Sequence, residues 1–129
     1  MTADIVLFDK AGKLVLIERK NYPQGIALPG GFIDVGERIE DAAKREAQEE
    51  IGAEVQIEKY LGYWDNPDRD PRAHNIAHAF LCSILSGDLQ AGDDAKTIVK
   101  VAPQDIDTIP FAFPDHKEMI VKALQGEIN

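Results

Sequence analysis

The sequence predicts one α/β domain built as an α/β/α sandwich, in which helices cover both sides of a mixed central sheet. The chain has 129 residues, the usual size of a single domain. Hydrophobic residues make up 44% and charged residues 29%, without a low-complexity run, as in globular proteins. Strand patterns flank one internal helical pattern and a second helical pattern closes the chain, an order that places helices on both faces of a sheet.

Each element follows from a local pattern. Apolar or β-rich runs predict strands at 3–8, 14–19, 53–64, 74–85 and 97–103. The runs at 14–19 and 74–85 are apolar on both faces, which is typical of central strands. Residues 26–37 mix short extended pieces with tight turns. Helical composition covers 38–52 and stops at Gly52, and a closing helix is expected at 115–125 with Asp115 as its N-cap.

Charge and cysteine content limit the classes of function. A net charge of −9 argues against nucleic acid and against an anionic membrane surface, because both are bound through lysine and arginine. No apolar stretch reaches the length of a membrane span, and the N-terminal sequence lacks a signal-peptide pattern. The single cysteine, Cys82, excludes an internal disulfide and is expected to be a small buried group. We therefore expect a cytoplasmic protein.

Three carboxylates crowd the end of the internal helix, at Glu46, Glu49 and Glu50. Acids three or four residues apart on a helix repel each other by roughly 0.2–0.5 kcal/mol per pair. The negative end of the helix dipole disfavours them again. On a helical wheel Glu46 and Glu50 fall on the same arc as the apolar Ile39 and Ala43, and Glu49 lies at its edge. The acids are therefore predicted on the inward face.

Inward carboxylates cannot all stay ionised at low cost, so either they are protonated or cations lie among them. Hard divalent ions such as Mg²⁺ or Mn²⁺ prefer such oxygen ligands. The alternative is a solvated acidic face with an ordinary salt bridge to Arg45. The opposite arc of the helix already carries its own polar residues, which favours the metal interpretation.

A longer pattern surrounds these acids. Glycine and charged residues stand at the spacing G-x5-E-x7-R-E-x2-E-E-x-G, filled here by Gly31, Glu37, Arg45, Glu46, Glu49, Glu50 and Gly52. Seven fixed positions within twenty-two residues rarely coincide by chance. The pattern resembles the signature of the Nudix hydrolases, and the chain is identified as a member of that family. The two hydrophobic signature positions are Ala47 and Ala53, the second being smaller than usual.

The resemblance implies a fold, a cofactor and a set of roles. In this family the signature forms a loop–helix–loop on an α/β/α sandwich. It binds more than one Mg²⁺ or Mn²⁺ ion and hydrolyses a nucleoside diphosphate linked to another group. The implied metal ligands, which also act in catalysis, are Glu46, Glu49, Glu50 and the backbone carbonyl of Gly30. Glu37 and Arg45 are implied as the supporting pair that orients these glutamates.

The general base is left open by the resemblance. It would be a signature glutamate or an acid on a later loop, where Asp93 and Asp94 are the candidates. Of the two, Asp94 is assigned to catalysis and Asp93 to substrate binding. The alternative is that both belong to an ordinary turn, since Gly–Asp pairs favour turns.

The segment 62–81 is similar to the same region of short bacterial and archaeal ADP-ribose pyrophosphatases. This similarity implies cleavage of ADP-ribose to AMP and ribose 5-phosphate. The candidate substrate contacts are Tyr63 and Trp64, which could stack on adenine, and Arg19, Arg69 and Arg72, which could bind phosphate or ribose. One departure is Ile26, where many relatives have a tryptophan.

Structural alternatives compete with each of these assignments. Trp64 could be a core aromatic residue, Arg19 a surface arginine, and the two loop arginines could pair with Asp68 and Asp70. His74 and His78 are expected to be hydrogen-bonded residues rather than metal ligands.

Two other functions remain open besides ADP-ribose hydrolysis. The first is a Nudix hydrolase that acts on damaged nucleoside triphosphates or another nucleotide diphosphate derivative, and the second is a non-catalytic nucleotide sensor. A homodimer is expected by analogy alone.

Overall fold

The computed structural model describes residues 1–92 and 95–128 and contains two sheets and two α-helices. Its strands are β1 (Thr2–Leu7), β2 (Leu14–Arg19), β3 (Ile26–Ala27), β4 (Gly30–Phe32), β5 (Glu54–Trp64), β6 (Ala77–Ser86) and β7 (Ala95–Val101). Its helices are α1 (Ile39–Ile51), α2 (His116–Ile128) and a 3₁₀ helix at Pro103–Thr108. No helix in the described part of the chain is long and apolar enough to cross a membrane.

The strands form two sheets rather than the one central sheet expected. The first has the order β4-β1-β6-β5 and is mixed, because β1 runs parallel to β6 and antiparallel to β4. The second has the order β3-β2-β7 and is entirely antiparallel. The pairing of β1 with β4 places Asp4 opposite Gly30 and Ala3 opposite Gly31. This register holds the two glycines beside the first strand.

Two apolar clusters, one on each side of the strands, form the core. One lies under α1 and joins Ala43 and Ala47 to Ile5 and Ile17. The other lies under α2 and joins Met119 and Ile120 to strand residues of the opposite face, Val6, Leu14 and Leu16. Neighbouring residues of β1 and β2 therefore point into different clusters, as in strands buried on both faces. The predicted sandwich of helices around strands is confirmed.

The internal helix follows its predicted pattern closely. The residues predicted on the inward arc are buried, except for Ile39, which is partly buried, and the residues of the opposite arc are exposed. Gly52 ends the helix with φ of 71°, and its N–H donates to backbone carbonyls of the last turn. This left-handed conformation favours glycine and explains why the helix stops at that residue.

Several predicted boundaries shift by one to three residues, and two of the shifts have a local reason. Strand β6 begins at Ala77 rather than residue 74, because the Asn75 side chain donates to Asp70 in the preceding loop (2.9 Å). Strand β7 ends at Val101, and the unpredicted 3₁₀ helix begins with Pro103, whose missing N–H cannot continue a strand. The predicted burial of Cys82 is confirmed, and burial raises the pKa of its thiol to about 12.

Candidate active site

Arg45 is the centre of a charged network on the inner side of α1. Its Nε and Nη2 donate to the two carboxylate oxygens of Glu37 at 2.8 and 2.9 Å. Its Nη1 donates to Glu46 at 2.7 Å and to Glu49 at 3.0 Å. Nη2 also donates to the carbonyl of Phe32 at 3.0 Å. One guanidinium therefore fixes three signature glutamates against strand β4, which supports the predicted orienting role of Arg45.

This network shifts the ionisation of its members. Hydrogen bonds from Arg45, together with one from the backbone N–H of Asp34, lower the pKa of Glu37 to about 2. The hydrogen bond to Glu37 raises the pKa of Arg45 above its usual value. Both groups are therefore charged at any physiological pH. The pair is a permanent ionic support for the acidic end of the helix.

Glu46 lies directly against Gly31. A Cβ atom on Gly31 would stand 2.6 Å from the carboxylate of Glu46, closer than real Cβ atoms approach any heavy atom. A Cβ on Gly30 would collide with the carbonyl of Ala3 and with the Asp4 carboxylate. The two glycines are thus required because a strand, a helix carboxylate and β4 meet there without room for side chains.

The three helix carboxylates differ in exposure. Glu50 is 2% and Glu46 is 9% exposed, whereas Glu49 lies at the rim with 43% of its side chain accessible. This is the order that the helical wheel predicts. Among the described residues no three acidic, histidine or cysteine side chains are already arranged closely enough to hold a metal ion. In this arrangement Arg45 supplies the positive charge between Glu46 and Glu49.

The donor set fits a hard divalent ion all the same. Glu46 packs against Gly31 of β4, and Glu50 is buried on the same face of α1, so carboxylate oxygens are available beside the backbone of β4. The residues available to hold an ion are Glu46, Glu49, Glu50 and the carbonyl of Gly30.

A cleft of about 190 Å³ is lined by both acidic and cationic side chains. Its lining residues are Glu46 and Arg45 of α1, Arg19, Arg72, Gly30, Gly31, Thr2, Phe32 and Asp34. Arg72 is held by Asp70 through hydrogen bonds of 3.0 and 2.8 Å and stacks on Phe32 at 5.0 Å from the ring centroid. Arg19 donates from Nε to the carbonyl of Pro23 at 2.7 Å. The structure thus brings two predicted arginines to the predicted metal side.

Arg69 is placed differently. Its side chain is only 4% exposed, and its Nε and Nη2 donate to Asp115 at 2.6 and 3.1 Å. The expected pairing within the loop therefore holds for Arg72 with Asp70, whereas Arg69 pairs with Asp115 instead of Asp68. A substrate contact of Arg69 would depend on its remaining Nη1 atom. Arg69 also borders a second cavity, of about 430 Å³, that contains Tyr63 and Trp64.

The aromatic candidates lie in this second cavity rather than in the cleft beside α1. Tyr63 is exposed, and half-buried Trp64 has Lys122 Nζ 5.7 Å from its ring centroid. The two histidines are hydrogen-bonded as expected: His78 to the Tyr60 hydroxyl at 2.9 Å and His74 to the carbonyl of Asp65 at 3.1 Å.

The loop after β6 packs on the end of α1. The N–H of Gly92 donates to the carbonyl of Glu50 at 2.9 Å, and the N–H of Gln90 donates to that of Ile51 at 2.9 Å. The two candidates that follow, Asp93 and Asp94, lie outside the described residues, and their assigned roles stay predictions.

Three buried residues beside the cleft were missed by sequence reasoning. His116 is 2% exposed, and its Nδ1 accepts a hydrogen bond from the N–H of Leu28 at 3.1 Å. Its Nε2 lies 3.7 Å from Oδ2 of Asp4. The third residue, Phe113, is surrounded by the guanidinium groups of Arg19, Arg69 and Arg72. The sequence offers a signal for Asp4 alone, because an acidic residue is unusual inside the apolar run 3–8. It offers none for His116 or Phe113.

Comparison with known proteins identifies the family. The family model of the NUDIX domain matches residues 1–122. An ADP-ribose pyrophosphatase of Methanocaldococcus jannaschii is 41% identical over 116 residues, which is 88% of this chain and 67% of that protein.

Two solved structures share the fold over nearly the whole chain. The NUDIX domain of Shewanella oneidensis NrtR, crystallised with ADP-ribose, superposes with a TM-score of 0.82 at 26% identity, covering 99% of this chain and 87% of that one. A MutT/nudix family protein of Enterococcus faecalis gives a TM-score of 0.81 at 30% identity. That match covers 98% of this chain, which spans 61% of the length of the Enterococcus protein. Together with the contacts that join Arg45 to Glu37, Glu46 and Glu49, these matches establish that the chain belongs to the Nudix family.

Proposed function

We propose that this chain hydrolyses ADP-ribose to AMP and ribose 5-phosphate with the help of divalent metal ions. One observation carries the proposal: the carboxylate of Glu46 and the cationic groups of Arg19 and Arg72 line the same cleft. A diphosphate site needs acidic groups that bind metal ions and cationic groups that bind phosphate oxygens, and this cleft contains both. The Methanocaldococcus relative, named an ADP-ribose pyrophosphatase, supports the choice of substrate.

The volumes of the cleft and of the second cavity suggest which part of ADP-ribose each one binds. At about 190 Å³ the cleft is smaller than the roughly 300–1,000 Å³ of sites that enclose a drug-sized molecule. It therefore suits the diphosphate rather than the whole of ADP-ribose. The 430 Å³ cavity with Tyr63 and Trp64 offers an aromatic surface for a base, and Arg69 stands at its border.

The acidic residues have the metal-binding roles that the family resemblance implies. Glu46, Glu49, Glu50 and the carbonyl of Gly30 hold the metal ions, of which the family resemblance implies more than one. When bound, such ions neutralise the diphosphate and lower the pKa of a water molecule that attacks phosphorus. Arg45 and Glu37 keep Glu46 and Glu49 in place, which reduces the motion of groups that must act in concert.

Arg19 and Arg72, which line the same cleft as Glu46, orient the diphosphate. Their guanidinium groups match phosphate oxygens geometrically, and a protein of net charge −9 needs such local cations to hold a polyanion. Asp94 is retained as the proposed base that accepts a proton from the attacking water, and Asp93 as a proposed substrate contact.

Product analysis tests the proposal. ADP-ribose with Mg²⁺ or Mn²⁺ should give equimolar AMP and ribose 5-phosphate, separated by ion-exchange chromatography. Release of pyrophosphate from nucleoside triphosphates, with ADP-ribose left intact, would favour the triphosphate alternative. If the protein binds ADP-ribose but does not hydrolyse it in the presence of either metal, a sensor would be favoured. The Glu50→Gln variant, purified in the same way, controls for contaminating hydrolases.

A further inference from the structure

Three arginines from two distant segments converge on one buried aromatic ring. The guanidinium carbons of Arg19, Arg69 and Arg72 lie 5.2, 5.6 and 5.6 Å from the ring centroid of Phe113, which is 5% exposed. All four residues line one small cavity of about 30 Å³ next to Gly30 and Gly31. Like charges gathered this closely repel each other, so something must hold them in position.

Carboxylates hold two of these arginines in place. Asp115 binds Arg69 with two hydrogen bonds, and Asp70 binds Arg72 in the same way. The ring of Phe113 also contacts the guanidinium groups, and its π face attracts cations. The ring is a contact that all three arginines share.

Hydrogen bonds to the backbone of residues 26 and 28 connect the Phe113 segment to the predicted metal side. The N–H of Ala112 donates to the carbonyl of Ile26 at 2.8 Å, one residue before Phe113. Three residues after Phe113, His116 accepts a hydrogen bond from the N–H of Leu28. Both bonds anchor the Phe113 segment to the chain that leads directly into Gly30. The distance between the arginine cluster and the Gly30 backbone is therefore fixed by the fold.

We infer that Phe113 is a positioning residue, which sets the spacing of Arg19 and Arg72 so that they meet the phosphate groups of the substrate. The inference rests on the proposed function and deepens it. Phe113 is too buried to touch a substrate in the cleft, whereas Arg19 and Arg72 line that cleft. Loss of the ring should therefore weaken phosphate binding and leave the acidic helix, and with it the chemical step, intact.

The test compares two buried phenylalanines. Phe113→Leu removes the ring under the arginines, and Phe80→Leu removes a ring of similar burial in β6 that packs against Tyr60. The affinity for inorganic pyrophosphate in the presence of Mg²⁺ is measured by calorimetry, together with kcat and KM for ADP-ribose. Phe113→Leu should weaken pyrophosphate binding and raise KM by about tenfold, with kcat changed less than about threefold. Phe80→Leu should match the wild type, and Phe113→Tyr, which keeps the π face, should restore most of the affinity.

Equal pyrophosphate affinity in Phe113→Leu and Phe80→Leu would overturn the inference. If Phe113→Leu does not fold, Phe113→Met, whose flexible thioether chain adapts to the space left by the ring, carries the same comparison. A wild-type protein that binds pyrophosphate but does not cleave ADP-ribose would refute the proposed function alone. In that case the calorimetric comparison still decides the role of Phe113.

Discussion

The carboxylate of Glu46 occupies the space that a side chain on Gly31 would need, with 2.6 Å between its carboxylate atoms and the position of a Cβ. The two residues belong to different elements, α1 and β4, and their contact sets how closely the helix approaches the strand. The spacing between the first signature glycine and the first helix glutamate is therefore a packing requirement as well as a family pattern.

Gly31→Ala should disrupt the site while leaving the fold in place. The new methyl group would push the Glu46 carboxylate away from β4 and disturb its hydrogen bond with Arg45, and a displacement of about 1 Å at such a site lowers turnover by about 100-fold. Steady-state kinetics with ADP-ribose and Mg²⁺ measure the effect. Gly12→Ala is the control: nothing lies within 4 Å of its Cβ position in the β1–β2 turn, and its φ of +80° makes the change cost some stability, so this variant should be destabilised without losing turnover. Full activity in Gly31→Ala would contradict the packing argument.

Glu50→Gln should lower kcat by at least about 100-fold without loss of stability. Glu50 is 2% exposed, and an uncharged amide costs less to bury than a carboxylate beside other acids. The variant should therefore unfold thermally at or above the wild-type temperature when no metal is added. Glu40→Gln, in the exposed first turn of the same helix, is the matched control. Retained Mg²⁺-dependent turnover in Glu50→Gln would remove Glu50 from the site.

Metal addition should raise the melting temperature of the wild-type protein. Ions that bind only the folded state stabilise it by about 2.7 kcal/mol at a concentration one hundred times the dissociation constant. The increase should be small or absent in Glu46→Gln, because this change removes a buried ligand that packs against Gly31. Thermal denaturation with Mg²⁺, Mn²⁺ and no added metal measures this independently of activity. An equal increase in both proteins would place the ions elsewhere.

Acid should destabilise the protein through Glu37 and Asp70. The pKa of Glu37 falls from 4.5 to about 2, chiefly through Arg45. Burial raises the pKa of Asp70, but hydrogen bonds from Arg72 and Asn75 outweigh it and bring the value from 3.8 to about 2. Because both values are depressed, the unfolded chain binds more protons between about pH 4.5 and 2. Their stabilisation is present above that window and is lost as the pH falls through it.

Urea denaturation at a series of pH values measures this slope. Glu37→Gln and Asp70→Asn should each flatten it, and Asp41→Asn, which removes an exposed carboxylate from α1, controls for the loss of one charge. A slope as steep in both variants as in the wild type would contradict the two assignments.

Local patterns predicted those parts of the fold that local physics decides. The period of the internal helix placed Glu46 and Glu50 on its inner face, and Gly52 marked its end correctly. The division of the strands into two sheets was not predictable in this way, because it depends on pairing between distant segments such as β1 and β6. The role of Phe113 was missed for the same reason, since the arginines around it lie far away in the sequence.

The outcome of the predictions for the two loop arginines depends on burial, and burial cannot be read from a single sequence. Arg69 and Arg72 are three residues apart in one loop, and the sequence alone does not distinguish them. In the fold Arg69 turns inward to Asp115, whereas Arg72 stays at the cleft with 29% of its side chain exposed. This difference leads to opposite expectations for their substitution.

Arg72→Ala should raise KM for ADP-ribose by about tenfold and change kcat less, because it removes a charged hydrogen-bond donor from the cleft. Arg69→Ala should instead cost about 3–5 kcal/mol of unfolding free energy, because it leaves the Asp115 carboxylate buried without its partner. Urea denaturation and steady-state kinetics on both variants separate the two effects, and Arg38→Ala, which removes an exposed guanidinium, is the matched control. Unchanged kinetics in Arg72→Ala would remove this residue from the phosphate site. An unchanged stability in Arg69→Ala would show that the Asp115 ion pair does not anchor the loop to α2.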